Sequence, residues 1–315
     1  MPSSPARDAA KTPSPLPAAP DRAERCEWCG LDFDGAAVRL EGRARCGRCG
    51  AATTDPVPSE DDLERAYADW YRPSGGRFVG PGDAVLRRSR GRLARRLDRI
   101  APPGPILDVG AGDGALLDAL KARGRDATGL ERTATRPDVR AIDLADVEGR
   151  WAAVVFWHAL EHLRDAGRAV DRAAAILAPD GLLVIAMPNA SSLQATVFGD
   201  RWFALDLPRH IVHVPAPAVV ARLRDLDLRV ERTSHLRGGH AVFGWLYGLV
   251  GSLPGRLDLY DAIRRPEARR RPLSRGRRWT ALAAAALLLP VAAACAVVEA
   301  ALGRGGSTYI EARRV

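Results

Sequence analysis

The chain has 315 residues, room for one α/β domain of ordinary size and a small appendage, and its 47% hydrophobic content supplies a full core. The formal charge of +9 favours anionic partners, but only Lys11 and Lys121 are lysines. A composition so heavy in Arg, Ala, Gly and Pro has the look of a G+C coding bias, so charge alone assigns neither nucleic acid, phosphorylated substrate nor acidic lipid. Four of the five cysteines form two close pairs, which speaks for metal and against a disulfide framework. No apolar run follows a basic start, so no secretory signal is expected. The reducing cytoplasm, where thiolates stay free for zinc, is the expected location.

Residues 1–22 are rich in Pro, Ala and Ser and are expected to be a disordered tail. Residues 23–55 form a compact module around Cys26-Glu-Trp-Cys29-Gly and Cys46-Gly-Arg-Cys49-Gly. Four thiolates at this spacing surround one tetrahedral Zn2+, and a glycine after each pair suits the tight turn of a knuckle. With no open position such a zinc is structural; a redox or iron site is the alternative. Zinc ribbons of this kind serve either nucleic-acid binding or protein contacts.

Residues 59–100 read as two helices. Ser59-Glu-Asp-Asp62 is a cap followed by Leu63, Ala66, Tyr67 and Trp70 on one face. Arg72 to Gly82, with four glycines and two prolines, is a loop. Ala84 to Ile100 carries an apolar stripe of Val85, Leu86, Leu93, Leu97 and Ile100, and its arginines make a solvated face.

From residue 101 to 239 short apolar strands alternate with helical stretches. Strands are expected at Ile106–Val109, Ala127–Leu130, Val139–Ile142, Ala152–Trp157 and Leu182–Met187, with helices such as Ala115–Arg123 and Ala166–Leu177 between them. That alternation predicts an α/β fold, a doubly wound and mostly parallel sheet with helices on both faces. An irregular region follows Pro188 as far as Val214, then a helix at Ala216–Leu226 and a strand at Leu228–Ser234. Residues 304–315 contain a last strand, Ser307–Arg313, that completes the sheet.

The motif Ile106-Leu-Asp-Val-Gly-Ala-Gly-Asp-Gly114 runs from a strand through a glycine turn into a helix. Gly110, Gly112 and Gly114 let the backbone pass close to a ligand, and the helix start favours a carboxylate. Asp108 ends the first strand, where it is placed to accept a hydrogen bond from a ligand amine or from the turn. Glu131 ends the second, where a carboxylate takes two hydrogen bonds from ribose hydroxyls. A dinucleotide and S-adenosylmethionine both fit this arrangement.

These residues resemble class I S-adenosylmethionine-dependent methyltransferases. The first motif has their Asp-x-Gly-x-Gly-x-Gly form, and Leu177-Ala-Pro-Asp-Gly181 is similar to their turn before strand five. Phe156-Trp-His-Ala-Leu-Glu-His-Leu163 is similar to the segment after strand four. The resemblance implies a seven-stranded Rossmann-like sheet and S-adenosyl-L-methionine as cofactor. It implies that Asp108, Gly110 and Gly112 hold the methionine part and Glu131 the ribose. Asp143 meets the adenine amine, with Leu144 beside it, and His158 lies near the sulfonium. Many relatives carry an acid at the start of strand four where this chain has Ala152, so Asp146 competes with Asp143 for adenine. The four cysteines ahead of such a domain also resemble sugar C-methyltransferases of antibiotic pathways.

His158-Ala-Leu-Glu-His162 formally matches a zinc-protease pattern, which needs both His side chains on one helix face. Here His158 directly follows an apolar strand, which speaks against that reading. His210 and His213 lie in Asp206-Leu-Pro-Arg-His-Ile-Val-His213, similar to a Pro-Arg-His segment that covers the substrate side in one branch of these enzymes. Methyl transfer needs in-line placement of the nucleophile, and a neutral His can take the proton of a hydroxyl acceptor. His210 is the first candidate for that base and His158 the second.

Trp279 to Val298 is twenty residues without a charge, long enough to cross a bilayer, with Pro290 in its middle. Ala241 to Gly255 is a shorter uncharged run, and Arg264 to Arg278 between them suits acidic headgroups. If Ser307–Arg313 returns to the sheet, a single crossing would strand it on the wrong side. Residues 240–303 are therefore expected as an apolar helical insertion, a monotopic hairpin or paired helices at the inner face of the cell membrane, with a buried helical pair or dimer surface as the alternative.

Together these features predict a methyltransferase for a small-molecule or lipid- or glycan-linked acceptor. Two other readings compete with it. One is an RNA or DNA methyltransferase docking through the zinc module and arginines, against which no Asn/Asp-Pro-Pro-aromatic segment follows strand four. The other is a non-catalytic membrane or scaffold protein.

Overall fold

The computed structural model describes residues 21–33, 35, 37–68, 76–80, 82–134, 136–235 and 239–315. Nearly all of the expected N-terminal tail, about half of the glycine-rich loop before residue 82, and Trp70 lie outside these residues.

The central sheet has seven strands. They are β4 (Ile106–Val109), β5 (Ala127–Leu130), β6 (Val139–Arg140), β7 (Trp151–Trp157), β8 (Leu177–Pro188), β10 (Leu228–Ser234) and β11 (Ser307–Arg314). Their order is β10-β11-β8-β7-β4-β5-β6, and β11 alone runs against its neighbours. This is the doubly wound, mostly parallel sheet that the alternation predicts.

Each parallel strand is covered on both sides, which explains the near-continuous apolar run Trp-Ala-Ala-Val-Val-Phe-Trp of β7, buried throughout. Side chains of a strand alternate in direction, and the core divides accordingly. Leu107, Val154, Phe156 and Ile185 pack on one side with α4 (Ala166–Ala175) and α6 (Ala216–Asp225). Ile106, Val155, Trp157 and Val184 pack on the other with α2 (Gly82–Ile100) and α3 (Ala115–Lys121).

The N-terminal helix α1 (Glu60–Ala66) starts at the predicted cap, where Ser59 and Asp62 bond reciprocally to each other's backbone. Only the C-terminal half of α2 packs. Leu93, Ala94 and Leu97 are buried there, whereas Val85, expected in the same stripe, is 60% exposed. The predicted turn at 177–181 is a bulge inside β8. Asp180 has φ +57°, and the partner register steps from Leu177 opposite Trp151 to Leu182 opposite Ala153. Strand β6 ends two residues early because Asp143 caps the short 3-10 turn Leu144–Asp146 through the Ala145 amide.

The cysteine module folds as an antiparallel hairpin array, β1 (Ala37–Leu40), β2 (Arg43–Cys46) and β3 (Ala52–Thr54). It is not isolated. Strand β3 pairs with β9 (Val212–His213), inside the stretch expected to be irregular, which also holds α5 (Leu193–Phe198). Trp28 and Phe33 of the module share a core with the sheet. The module lies close against α4: a Cβ on Gly167 would fall 1.9 Å from the Trp28 carbonyl oxygen.

Between the last two strands comes the apolar insertion, α7 (Gly239–Gly251), α8 (Leu259–Ile263) and α9 (Arg275–Ala301). One face of α9, marked by Ala281, Ala285, Ala292, Ala296 and Glu299, is buried. Those alanines join two apolar clusters that also contain α7 and α8 residues. Glu299 accepts hydrogen bonds from Gln194 Nε2, Trp245 Nε1 and the Gly306 amide, which fixes the end of α9 to the core.

Candidate active site and metal centre

Strand β4 leads into the glycine turn at the C-terminal edge of the sheet. Gly110, Gly112 and Gly114 have φ of +78°, +61° and +77°, a region that side chains other than glycine's rarely enter. The amides of Gly110 and Ala111 both donate to the Leu130 carbonyl at 2.9 Å, so the turn is drawn against the end of β5. A Cβ on Gly110 would lie 2.5 Å from the Ala159 Cβ. That position leaves no room for a side chain.

Asp108 sits opposite Gly129 across the β4–β5 pair, so Asp108 and Glu131 occupy neighbouring strand ends. Glu131 Oε2 accepts the Gly112 amide at 2.8 Å, and Oε1 accepts the Arg132 amide at 3.2 Å. A carboxylate offers about four lone-pair sites, so acceptor capacity remains for ribose hydroxyls. Asp108 is buried, and burial pushes its carboxyl up to about 7 against the lowering pull of Arg90 in α2. A buried acid beside a glycine turn fits a ligand ammonium, which would restore its charged form. Asp143 is exposed, with its side chain bonded to the Ala145 amide at 2.8 Å, while Leu144 points into the core. Asp146 is exposed on the same turn.

His158 ends β7 in a left-handed conformation, φ +54°, its amide donating to the Ala186 carbonyl at 2.7 Å. The zinc-protease reading fails here, because His162 lies on a 3-10 turn, Leu160–His162, and shares no helix face with His158. The imidazole of His158 stacks on His240 at the start of α7, with centroids 5.3 Å apart, and its Nδ1 lies 3.4 Å from Glu161 Oε1.

Glu161, His162 and His210 gather below. His162 and His210 meet edge to face at 4.7 Å between centroids. His162 Nδ1 is 2.8 Å from the Arg209 carbonyl, and His210 Nδ1 is 2.8 Å from the Ala204 carbonyl. Burial lowers the pKa of both rings, His162 to about 4. Asp206, held below the usual carboxylate range by His210 and Arg209 despite burial, lies 3.7 Å from His210 Nε2. His213 faces Thr54 of β3 and lies on the ribbon side. Glu161 was read in the sequence only as part of a motif; its depth in the fold depends on long-range packing that no local spacing reports.

In the cysteine module Cys26 Sγ is 3.6 Å from Cys49 Sγ, Cys29 Sγ is 3.7 Å from Cys46 Sγ, and the four sulfurs lie within 4.8 Å of one another. Gly30 and Gly50 take φ of +71° and +73°, as knuckle turns require. Their amides return to the Cys26 and Cys46 carbonyls. The donor set and its geometry fit one tetrahedral zinc.

A seven-stranded α/β sheet with one antiparallel strand, and a glycine turn between two acid-tipped strands, is the Rossmann-like methyltransferase fold. Residues 85–233 match the model of the family described as "Methyltransferase domain". The chain is 25% identical over 185 residues to the ubiquinone biosynthesis O-methyltransferase of Rhodopseudomonas palustris (strain TIE-1), covering 50% of this chain and 73% of that one. It is 29% identical over 188 residues to the enzyme of the same name from Azorhizobium caulinodans, with the same coverage. A solved S-adenosylmethionine-dependent methyltransferase from Archaeoglobus fulgidus superposes with a TM-score of 0.44 at 15% identity, over 72% of this chain and 94% of that one. Residues 85–233 thus match a methyltransferase domain, and the chain is a methyltransferase.

Proposed function

We propose that the enzyme methylates a small, apolar or lipid-linked acceptor at an acidic membrane surface, through an acceptor hydroxyl. The observation that carries this reading is the stack of His158 on His240. It joins the end of β7 directly to the first turn of the apolar insertion.

The donor supplies an electrophilic methyl group on a positively charged sulfur. Asp108 takes its ammonium, and Gly110 and Gly112 admit the methionine part along the bare backbone. Glu131 holds the ribose hydroxyls, and Asp143 with Leu144 borders the adenine. These placements supply most of the rate, because transfer in line with the carbon–sulfur bond depends on orientation. His158, next to the turn and to the insertion, is the proton acceptor for the hydroxyl. His210, the first candidate from sequence, is instead a positioning residue, since its ring is tied beneath the site by Ala204 and Asp206.

The membrane part rests on α9. The face opposite its buried stripe carries exposed Trp279, Leu287, Val291, Val297 and Val298, and exposed Arg271, Arg275 and Arg277 precede or begin the helix. Apolar side chains and arginines on one outer surface match an acidic bilayer face. With Glu299 anchored in the core, α9 lies along that face and does not cross it. A cleft beside Asp206, lined by Phe203, Tyr247 and Tyr260 together with the charged Asp200, Arg201, Asp258 and Arg270, opens between the 200–207 segment and the insertion and gives the polar head of an acceptor a berth. The cysteine module holds a structural zinc that stiffens β3 and, through it, β9. The O-methyltransferase names of the curated relatives agree with a hydroxyl acceptor.

The test is transfer of a labelled methyl group from S-adenosylmethionine to a hydroxylated aromatic bearing a prenyl tail. Turnover is expected to rise when the acceptor is embedded in anionic vesicles. No transfer to any hydroxylated acceptor, with cofactor binding intact, overturns the reading.

A further inference from the structure

We propose a second metal site, in which Glu161, His162 and His210 hold one divalent cation of the zinc, cobalt or iron class beneath the methyl-transfer site. Each of the three brings a ligand atom within 4.8 Å of the other two.

The protonation pattern suits the role. A main-chain carbonyl can only accept, so the 2.8 Å contacts to Arg209 and Ala204 place a proton on Nδ1 of His162 and of His210, and the Tyr67 hydroxyl 2.9 Å from His162 Nδ1 is then a second acceptor for the same proton. A ring protonated on Nδ1 meets a cation through Nε2. Metal-binding histidines are held in this way, with the second nitrogen donating to a backbone carbonyl that fixes tautomer and ring orientation.

Glu161 is the independent sign. Its residue is 2% exposed, and its Oε2 atom is fully buried with no hydrogen-bond partner, while Oε1 faces His158 Nδ1 at 3.4 Å. A buried carboxylate oxygen without a donor is costly unless a cation meets it. The nearby Arg209 directs its Nε and Nη2 to Asp206 at 2.6 to 3.1 Å. Two neutral imidazoles and one carboxylate form a three-ligand face that leaves coordination positions open, and the ligand types favour borderline metals over magnesium or calcium.

The elements that build the cluster explain its persistence. Glu161 accepts the Ile211 amide at its own carbonyl, 2.7 Å away, and Thr54 Oγ1 of the ribbon donates to the His210 carbonyl at 2.6 Å. The β7 turn, the 206–213 segment and the ribbon thus converge on the three ligands.

The chemical consequence rests on the proposed hydroxyl acceptor. An open position on the cation binds the acceptor oxygen and lowers its pKa, so the O–H proton passes to the neighbouring His158. The oxygen lone pair then attacks the methyl carbon, the carbon–sulfur bond breaks, and its electron pair returns to sulfur as the neutral thioether. His210 acts as a ligand in this scheme, and no redox change occurs.

The experiment is titration of Co2+ into full-length protein whose cysteine module is already loaded with zinc, followed by ligand-field absorption and metal analysis after desalting. One cobalt per chain is expected beyond the zinc, without thiolate-to-cobalt charge-transfer bands. Glu161→Gln and His210→Gln should each weaken cobalt binding at least tenfold while the zinc stays bound. S-adenosylmethionine calorimetry on the same samples reports folding and the cofactor site separately. If either variant fails to bind cofactor, His162→Gln replaces it. Absence of a second cobalt, or cobalt binding unchanged in variants that still bind cofactor, overturns the site and leaves the methyltransferase reading standing.

Discussion

Glu131 Oε2, at the tip of β5, accepts the amide of Gly112 at 2.8 Å. One carboxylate thereby closes the glycine turn and faces the place where a ribose would lie. Hydrogen bonds to a charged acceptor are worth about 1.5–3 kcal/mol each. Glu131→Ala should therefore weaken S-adenosylmethionine binding by roughly 10- to 150-fold, read by calorimetry. Gly110→Arg should abolish it, since even a Cβ there meets Ala159 at 2.5 Å. Unchanged affinity in both would remove the site from this edge of the sheet.

Asp108 makes the cofactor site sensitive to pH. Its folded pKa is about 7 against an ordinary 3.8, so the folded state holds the extra proton between those values. The unfolded state binds fewer protons there, and stability falls as pH rises from about 4 to 7. In the ligand-free protein Asp108→Asn should raise Tm at pH 8 and leave it nearly unchanged at pH 4. The same proton must leave for Asp108 to pair with an ammonium, so cofactor affinity should increase from pH 6 to pH 8 in the native protein and not in the variant. A pH-independent affinity in the native protein would mean that Asp108 does not meet the ammonium.

His162 and His213 work in the opposite sense. Burial lowers their pKa values to about 4 and about 3, against 6.5 for an open imidazole. The unfolded chain takes up protons below pH 6.5 that the folded chain refuses, so stability present at neutral pH is lost as pH falls from 6.5 towards 4. Each site contributes a slope of up to about 1.4 kcal/mol per pH unit. Denaturant melts at pH 7 and pH 5 should show this loss, and His213→Gln should reduce it only in part, because burial depresses His210 in the same sense. An identical loss in the variant would place the acid sensitivity elsewhere.

The class of fold was legible because it rests on local signals. Strand–turn–helix at 106–121, the buried run of β7 and the Ser59 cap each depend on residues near in sequence, and each forms where expected. The residues proposed for the cofactor side are brought together for the same reason, since Asp108, Gly110 and Gly112 share one turn. Glu131 is carried to that turn by the adjacent parallel strand. The acceptor side was less so. His210 is positioned by the Ala204 carbonyl, by Asp206 and by the distant Thr54, and the pairing of β3 with β9 joins segments more than 150 residues apart. No periodicity encodes a contact of that range. Val85 shows the converse: it has the right spacing for a stripe, but it is 60% exposed, and the buried residues of α2, Leu93, Ala94 and Leu97, all lie in its C-terminal half.

The cysteine module should matter beyond its own hairpins. Strand β3 pairs with β9, and Thr54 Oγ1 bonds the His210 carbonyl, so loosening the knuckles loosens the floor of the acceptor side. Cys46→Ser, or zinc removal by a strong chelator, should lower Tm and release to hydrogen exchange the amide of Thr54, which donates to the Ile211 carbonyl beside β9. The amides of β4 and β5 should stay protected. Equal exchange across β3, β4 and β5 would show that the module is a global clamp and not a local one.

The exposed face of α9 gives the membrane reading its sharpest test. Leu287 is 80% exposed and Val297 65%, so acidic substitutions there remove no packing and should leave Tm within about 1 °C if surface changes cost under ~0.5 kcal/mol. A double variant Leu287→Glu, Val297→Glu puts two charges where the acyl boundary would be and adds repulsion from anionic headgroups. Its co-sedimentation with anionic vesicles should fall at least tenfold, and so should turnover of a prenyl-tailed acceptor, while turnover of a short soluble analogue stays the same. Raising the salt should weaken the native interaction in part only, because the arginines are screened but the apolar contact is not. Vesicle binding unaffected by the double variant would turn this face from a lipid contact into one that serves another role, and the acceptor would then have to reach His158 from solution.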